Sequence, residues 1–141
     1  MADPCETTAT GLATQTRRLP GAGRVLVVDD EASIREVIEM LITIEGCEVR
    51  TAANGVDAIE LLRSWSPDLV LLDLTLPGMD GAEVMHAYHA TPGPHAPIIL
   101  MTGWDLPPAR ATELGASGVI PKPFDLNDLL DIVAGFVDCT E

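Results

Sequence analysis

Basic residues are scarce in this chain of 141 residues, and lysine occurs only once, as Lys122. Eight lysines and arginines face 22 aspartates and glutamates, which gives a formal net charge of −14 at pH 7. A surface with this excess of negative charge repels the phosphates of nucleic acids and the anionic headgroups of membranes. We therefore expect neither direct nucleic-acid binding nor attachment to a membrane surface.

Long apolar runs and closely spaced cysteines are also missing. No apolar run approaches the roughly 20 residues of a membrane span, and residues 1–22 contain no apolar segment of signal-peptide length. The three cysteines, Cys5, Cys47 and Cys139, are odd in number and widely spaced, which is typical of reduced thiols rather than of a disulfide framework or a zinc site. These absences predict a cytoplasmic protein with Cys47 packed in its core.

The pattern that is present indicates one α/β domain. Residues 1–22 are rich in Thr, Ala, Gly and Pro and lack periodicity, so we predict a disordered tail or linker there and a domain over residues 23–139. Within the domain, short apolar runs alternate five times with segments of helical periodicity. This alternation predicts a parallel sheet with helices on both faces, and right-handed crossovers make it doubly wound. The five-strand, flavodoxin-like order 2-1-3-4-5 fits the number of strands.

Polar side chains follow four of the predicted strands at the points where the chain leaves the sheet. Asp29 and Asp30 follow the first run, Asp73 the third, Thr102 the fourth and Lys122 the fifth. Each of them alone has an ordinary explanation as a helix start, a turn residue or a surface charge. In the order 2-1-3-4-5, however, strands 1 and 3 are neighbours, so all five residues fall at one edge of the sheet. Their convergence predicts a site.

The chemistry of these side chains favours phosphoryl transfer. Carboxylates gathered in one crevice repel each other, and their oxygens are the ligands that Mg²⁺ prefers. An ammonium group and a hydroxyl beside the cation would complete a binding site for a phosphoryl group. Asp73 would be the nucleophile, since a carboxylate can form an aspartyl phosphate. Without a metal, we expect the crowded carboxylates to have raised pKa values.

Four segments of the chain resemble the receiver domain of bacterial two-component response regulators. They are VLVVDDE, DLVLLDLTLPGMDG, IILMTG and GASGVIPKPF, they occur in this order with family-like spacing, and the resemblance covers residues 24–137. It implies that Asp73 is the phosphoacceptor. It also implies that Asp30 and Asp73 bind Mg²⁺ directly, and that Asp29 binds it through a water molecule.

The resemblance implies further roles and partners. The backbone carbonyl of Thr75 would be the third direct protein ligand of the metal, Lys122 would contact the phosphoryl group, and the hydroxyl of Thr102 would move toward it as a switch. The Lys122–Pro123 peptide bond is cis in the family. The phosphodonor would be a phosphohistidine on a histidine kinase or phosphotransfer protein. The receiver is not an enzyme beyond promoting its own phosphorylation and dephosphorylation. A downstream protein partner and phosphorylation-dependent pairing of two copies are further expectations.

Three positions depart from, or tune, the family pattern. Val119 stands where the family often has an aromatic residue, so the usual coupled movement of threonine and aromatic ring cannot operate. Output would then be weaker, or would pass through helix 4 and its flanking loops instead. Trp104 lies two residues past Thr102, and Thr75 two past Asp73, at positions that influence the lifetime of the phosphorylated state in the family. We hypothesise that Trp104 partly covers the site and slows hydrolysis. An exposed aromatic side chain that docks a partner is the alternative.

Other functions and architectures stay open at this point. A Mg²⁺-dependent phosphatase of the haloacid dehalogenase type also forms an aspartyl phosphate. Those enzymes, however, carry a DxD motif with a second acid two residues after the nucleophile, where this chain has Thr75. A receiver that no longer takes phosphate is the third reading. The domain could be a single-domain regulator or the receiver of a larger protein such as a hybrid kinase.

Overall fold

A computed structural model of the chain describes residues 23–103 and 106–137. Within them, strands and helices alternate as the sequence predicts: β1 (Arg24–Val28), α1 (Ala32–Ile44), β2 (Glu48–Ala52), α2 (Gly55–Ser64), β3 (Leu69–Asp73), α3 (Gly81–His89), β4 (Ile98–Thr102), α4 (Pro108–Leu114), β5 (Gly118–Pro121) and α5 (Leu126–Phe136). None of the described helices has both the length and the apolar character needed to cross a membrane. The tail predicted for residues 1–22 and the domain end predicted at residue 139 lie outside the described residues.

The strands form one parallel sheet in the order β2-β1-β3-β4-β5, which confirms the predicted fold class. All five residues of β3 and all five of β4 are buried, because helices cover both faces of the sheet and these strands are apolar along their length. The register pairs Asp73 with Met101 and Thr102 with Pro121. The carboxyl ends of β3, β4 and β5 therefore meet at the same edge.

Two hydrophobic clusters, one on each face of the sheet, hold the helices in place. Alternate side chains of β1 point to opposite faces, so Val25 and Val27 join the cluster under α1 and α5, whereas Leu26 and Val28 join the cluster under α2 and α3. The helices contribute buried side chains to these clusters: Ile38, Ile42, Leu129 and Val133 on one face, and Ala58, Leu62, Val84, Met85 and Tyr88 on the other. Each such side chain contributes roughly 1.5–3 kcal/mol by leaving water.

The buried face of α2 differs from the one that its apolar spacing predicts. That spacing places Val56 and Leu62 in one buried stripe, but Val56 is 64% exposed while Gly55, Ala58 and Leu62 are buried. A Cβ atom on Gly55 would come within 2.9 Å of the Val84 side chain. The first turn of α2 therefore packs closer to α3 than any side chain at residue 55 permits, and this packing turns Val56 outward.

The prediction for Cys47 is half right. Its side chain is 5% exposed and belongs to the cluster under α1 and α5, as expected. The residue is nevertheless disulfide-bonded, so the prediction of a reduced thiol is wrong at this position. Cysteines that are distant in sequence can meet once the chain folds, and sequence spacing does not reveal such a meeting. Cys5 and Cys139 lie outside the described residues.

Candidate functional site

Three aspartates meet at the carboxyl edge of the sheet, as the strand order predicts. Asp29 directly follows β1 and is fully buried, Asp73 ends β3 and is 5% exposed, and Asp30 is exposed. One carboxylate oxygen from each lies within 4.8 Å of the others. Carboxylates this close can share one hard divalent cation such as Mg²⁺, which takes oxygen ligands and keeps several waters.

The ammonium group of Lys122 lies between two of these carboxylates. Its Nζ is 2.7 Å from Oδ2 of Asp29 and 3.1 Å from Oδ2 of Asp73. The backbone N–H of Lys122 donates to the carbonyl of Thr102 at 2.6 Å, which ties the residue after β5 to the end of β4. The Lys122–Pro123 peptide bond is cis, as the resemblance implies. The single lysine of the chain is thus held at the acidic crevice by both its backbone and its side chain.

The surroundings shift the pKa values of Asp73 and Lys122. Burial raises the pKa of Asp73, the charge of Asp29 adds to this rise, and hydrogen bonds from the Thr75 N–H and from Lys122 oppose it. Burial alone lowers the pKa of Lys122, but its hydrogen bonds to Asp29 and Asp73 and their charges outweigh burial, so the pKa is raised. Asp73 therefore shifts in the predicted direction. A second cation beside such a poorly solvated carboxylate would stabilise its ionised form.

The other predicted residues occupy defined places around this crevice. The N–H of Thr75 donates to Oδ1 of Asp73 at 3.0 Å, so the chain turns back over the carboxylate directly after β3. Thr102 ends β4 and is 1% exposed. Val119 is half-buried and packs against the cluster under α2 and α3. Trp104 lies outside the described residues, so its covering role stays a prediction.

The loop from β3 to α3 is tightly constrained beside Asp73. A Cβ atom on Gly81 would lie 2.6 Å from the carbonyl oxygen of Asp73, so no other residue fits at this first position of α3. Asp80 and Glu83 form a capping box in which each side chain accepts a hydrogen bond from the other's backbone N–H. The loop that follows Asp73 is therefore anchored at both of its ends.

Sequence reasoning missed one side chain at this edge. Nη1 of Arg35 donates to the backbone carbonyl of Asp29 at 2.7 Å. The available signal was an arginine six residues beyond the first acid, in the first part of α1. A helix begun at the end of β1 turns such a residue back toward the strand, but spacing alone does not say what its guanidinium contacts.

The fold and the site together define a class of protein. The sheet is doubly wound, and its acidic crevice lies where β1 and β3 are neighbours although β2 separates them in the chain. This is the topological switch point, at which open parallel α/β sheets bind their ligands. The chain is thus a flavodoxin-like α/β protein with three carboxylates and one lysine at its ligand-binding edge.

Comparison with known families names the class more closely. The family model of the response regulator receiver domain matches residues 25–134. The chain belongs to this family, whose members are signalling modules of two-component phosphorelays.

Curated relatives and solved structures agree with this family. Response regulators MprA from Mycobacterium sp. (strain KMS) and Mycobacterium avium (strain 104) are each 38% identical over 109 residues, which cover 76% of this chain and 47% of each relative. The chain therefore spans about half the length of the curated relatives it matches.

Solved structures show the same likeness over most of the chain. Response regulator TrrA from Thermotoga maritima, solved in complex with Mg²⁺-BeF, is 34% identical with a TM-score of 0.72, and the match covers 81% of this chain and 98% of that one. Chemotaxis protein CheY4 from Vibrio cholerae is 29% identical with a TM-score of 0.72, covering 82% and 98%.

Proposed function

We propose that this receiver domain accepts a phosphoryl group on Asp73 from a phosphohistidine and that Mg²⁺ assists the transfer. The observation that carries the proposal is the convergence of Asp29, Asp30 and Asp73 within 4.8 Å at the switch point, with the ammonium group of Lys122 bonded to two of them. Family membership and the Mg²⁺-BeF complex of TrrA, the relative from Thermotoga maritima, support the same reading.

The donor set fits a divalent cation. The crevice already places one positive charge, the ammonium group of Lys122, against Asp29 and Asp73, and three carboxylates leave an excess of negative charge around it. We assign Asp30 and Asp73 as direct ligands, Asp29 as a ligand through water, and the carbonyl of Thr75 as a further ligand. When bound, Mg²⁺ supplies positive charge to the oxygens of the transferred group.

The side chains of this chain would share the work of transfer. An oxygen of Asp73 attacks phosphorus as the bond from phosphorus to the donor imidazole nitrogen breaks, so the phosphoryl group becomes an acyl phosphate. Lys122, now hydrogen-bonded to Oδ2 of Asp73, would turn to an oxygen of the incoming group. Thr102, at the neighbouring strand end, would place its hydroxyl on another. Preorganised charges of this kind act where negative charge develops in the transition state.

An apolar groove beside the crevice supports a protein donor. It has a volume of about 510 Å³ and is lined by Glu31, Ser33, Ile34, Val37, Ile38, Lys122, Pro123, Phe124 and Leu126. Along α1 the exposed apolar side chains Val37, Met40 and Ile44 continue from it at spacings of three and four, 38%, 54% and 71% exposed. Such a stripe suits contact with another helix. We propose that a helix of the histidine kinase or phosphotransfer protein binds there.

A comparison of donors tests this docking face. Met40→Glu should slow transfer from a phosphorylated histidine kinase by about tenfold or more, since it places a charge in the proposed interface. It should leave phosphorylation by acetyl phosphate unchanged. Val56→Glu is the matched control, because Val56 is as exposed but lies on α2. Equal effects on both donors, or an equal effect of the control, would contradict the proposal.

The output would differ from the common family pattern. Val119 carries no ring that could follow the hydroxyl of Thr102, so we propose that α4 and its flanking loops transmit phosphorylation to a downstream protein. Pairing of two copies on phosphorylation stays a prediction.

We propose the cytoplasm as the place of this exchange, on the strength of family membership. The disulfide at Cys47 speaks for an oxidising setting instead. Acid quenching of intact cells, followed by alkylation of free thiols, distinguishes the cytoplasm from an oxidising compartment. An alkylated Cys47 supports the cytoplasm, and a Cys47 that is protected from alkylation opposes it.

Incubation with acetyl phosphate and Mg²⁺ separates the three candidate functions. A phosphoacceptor gains the mass of one phosphoryl group, and Asp73→Asn does not. A phosphatase turns over its phosphorylated substrate and retains no phosphoryl group. A receiver that has lost its activity does neither. The proposal predicts the first outcome, and either of the others would contradict it.

A further inference from the structure

Arg35 holds the main chain of the acidic crevice. Its Nη1 donates to the carbonyl of Asp29 at 2.7 Å in a part-buried setting. Asp29 and Asp30 belong to a tight turn between β1 and α1, here called the acid turn (residues 29–31). Arg35 thus bonds the main chain of this turn with a side chain from outside it.

Within residues 23–103 and 106–137, few other hydrogen bonds hold the acid turn. The N–H of Asp29 donates to the carbonyl of Ala52 at 3.1 Å, and the N–H of Glu31 donates to Oδ1 of Asp29 at 2.9 Å. Glu31, the N-cap residue of α1, makes no side-chain capping bond. The contact from Arg35 therefore fixes the carbonyl between Asp29 and Asp30. The bond from Lys122 to Asp29, by contrast, is to the carboxylate and not to the main chain.

The guanidinium is itself well placed for this task. The backbone N–H of Arg35 donates to the carbonyl of Glu31 at 3.1 Å, so the residue belongs to the first regular turn of α1. A planar guanidinium keeps a fixed direction between its donors, whereas an ammonium group is a point charge on a flexible stem. The rigid helix thus transmits its position to the acid turn.

We infer that Arg35 is a positioning residue for the divalent cation, an inference that rests on the proposed function. It would hold the acid turn so that the carboxylates of Asp29 and Asp30 face the same ion. Groups behind the metal ligands that fix their orientation commonly change metal affinity about 10- to 100-fold. Arg35 itself would not touch the metal or the phosphoryl group.

The sign of the effect distinguishes positioning from simple electrostatics. Removing a positive charge beside an acidic crevice strengthens the attraction for a cation, so an electrostatic role alone predicts tighter Mg²⁺ binding in Arg35→Met. Positioning predicts weaker binding, because the ligands lose their common orientation. Arg35→Lys keeps the charge and one donor, so positioning predicts partial rescue.

Calorimetric titration with Mg²⁺ of the full chain and its variants tests the inference. We expect Arg35→Met to raise the dissociation constant about tenfold, and Arg35→Lys to recover part of the loss. Arg110→Met is the control, because Arg110 is exposed on α4 and pairs only with Glu113 at 3.6 Å among the described residues. A dissociation constant for Arg35→Met that is unchanged or lower would overturn the inference.

A second measurement does not depend on the metal. In EDTA, the Glu31 amide proton of Arg35→Met should exchange with solvent about threefold faster or more, because the turn that protects it is less constrained. Unchanged exchange would overturn the role of Arg35. If the wild type bound no Mg²⁺, the proposed function would fail, and the exchange rate would still decide whether Arg35 holds the acid turn.

Discussion

The two edges of the sheet balance charge in different ways. At the amino edge, Arg24 has several partners at once. Its Nη1 donates to the carbonyl of Trp65 at 2.6 Å, its backbone N–H donates to Oδ2 of Asp68 at 2.9 Å, and its Nε lies 3.5 Å from Oε1 of Glu48. The guanidinium groups of Arg24 and Arg50 both lie over the Trp65 ring, at 5.6 and 5.2 Å from its centre. This edge brings the Arg24 guanidinium to Glu48, two guanidinium groups to one aromatic ring, and a main-chain N–H to Asp68.

The carboxyl edge is left with unbalanced negative charge. Three carboxylates meet there, and the one ammonium group of Lys122 bonds two of them. The raised pKa of Asp73 is the physical sign of this imbalance, since burial and a like charge oppose its ionised form. Functional sites commonly keep unfavourable local arrangements that lower the stability of the fold. One edge of the sheet thus secures the fold, while the other is the edge at which we propose that a cation and a phosphoryl group bind.

The amino edge should give the largest effect on stability. Trp65 is 5% exposed within the cluster under α2 and α3, so we expect Trp65→Ala to lower the free energy of unfolding by about 3–5 kcal/mol. Phosphorylation by acetyl phosphate should be unchanged in the folded protein. Urea unfolding and a phosphorylation time course measure the two effects, and Trp65→Phe provides a folded variant if the alanine variant unfolds. A slower reaction in the folded Phe variant would contradict the independence of the two edges.

The carboxyl edge should show the opposite pattern. We expect Asp30→Asn to raise the dissociation constant for Mg²⁺ about tenfold, or about 1.4 kcal/mol, because an amide is a weaker ligand than a carboxylate. Its free energy of unfolding in EDTA should change by less than about 0.5 kcal/mol, since Asp30 is exposed. Asp131→Asn, an exposed charge on α5, is the control. Equal Mg²⁺ affinity in both variants would argue against Asp30 as a ligand.

Addition of metal should stabilise the protein through the carboxyl edge alone. At a Mg²⁺ concentration ten times the dissociation constant, ligand linkage predicts about 1.4 kcal/mol of added stability, and EDTA should remove it. Thermal unfolding of the wild type and of Asp73→Asn measures the difference, with Trp65→Phe as the variant that should retain the full gain. A gain that survives in Asp73→Asn would place the metal elsewhere.

The smallest expected effect is a pH dependence. Because the pKa of Asp73 is raised above 3.8 in the native state, the native protein binds more protons than the unfolded chain between that value and its native pKa. The free energy of unfolding should therefore fall as the pH rises through this window. Urea unfolding in EDTA should show that fall in the wild type and a weaker one in Asp73→Asn. Parallel curves would contradict the raised pKa.

Much of the carboxyl edge could be predicted from the sequence. Apolar runs that end in Asp29, Asp73 and Thr102 are local patterns, and the strand order brings such ends together whatever the details of packing. Lys122 could be placed for the same reason, because it directly follows β5. The contacts between Lys122, Asp29 and Asp73 then follow from the parallel register.

Features that depend on distant side chains could not be predicted. The stacking of Arg24 and Arg50 on Trp65 joins β1, β2 and the end of α2, and no local pattern in the sequence predicts it. The outward turn of Val56 follows from the close approach that Gly55 allows. Local periodicity gives the elements, whereas these contacts arise only once the elements pack.

The most direct test is the position of the phosphoryl group. After reaction with acetyl phosphate and Mg²⁺, reduction with borohydride converts an aspartyl phosphate to homoserine, which peptide mass spectrometry can locate. We expect homoserine at residue 73, and none at residues 29 and 30. Homoserine at residue 29 or 30 would contradict the claim that Asp73 accepts the phosphoryl group. Equal phosphorylation of Asp73 when the reaction is run in EDTA instead of Mg²⁺ would contradict the claim that a metal assists the transfer.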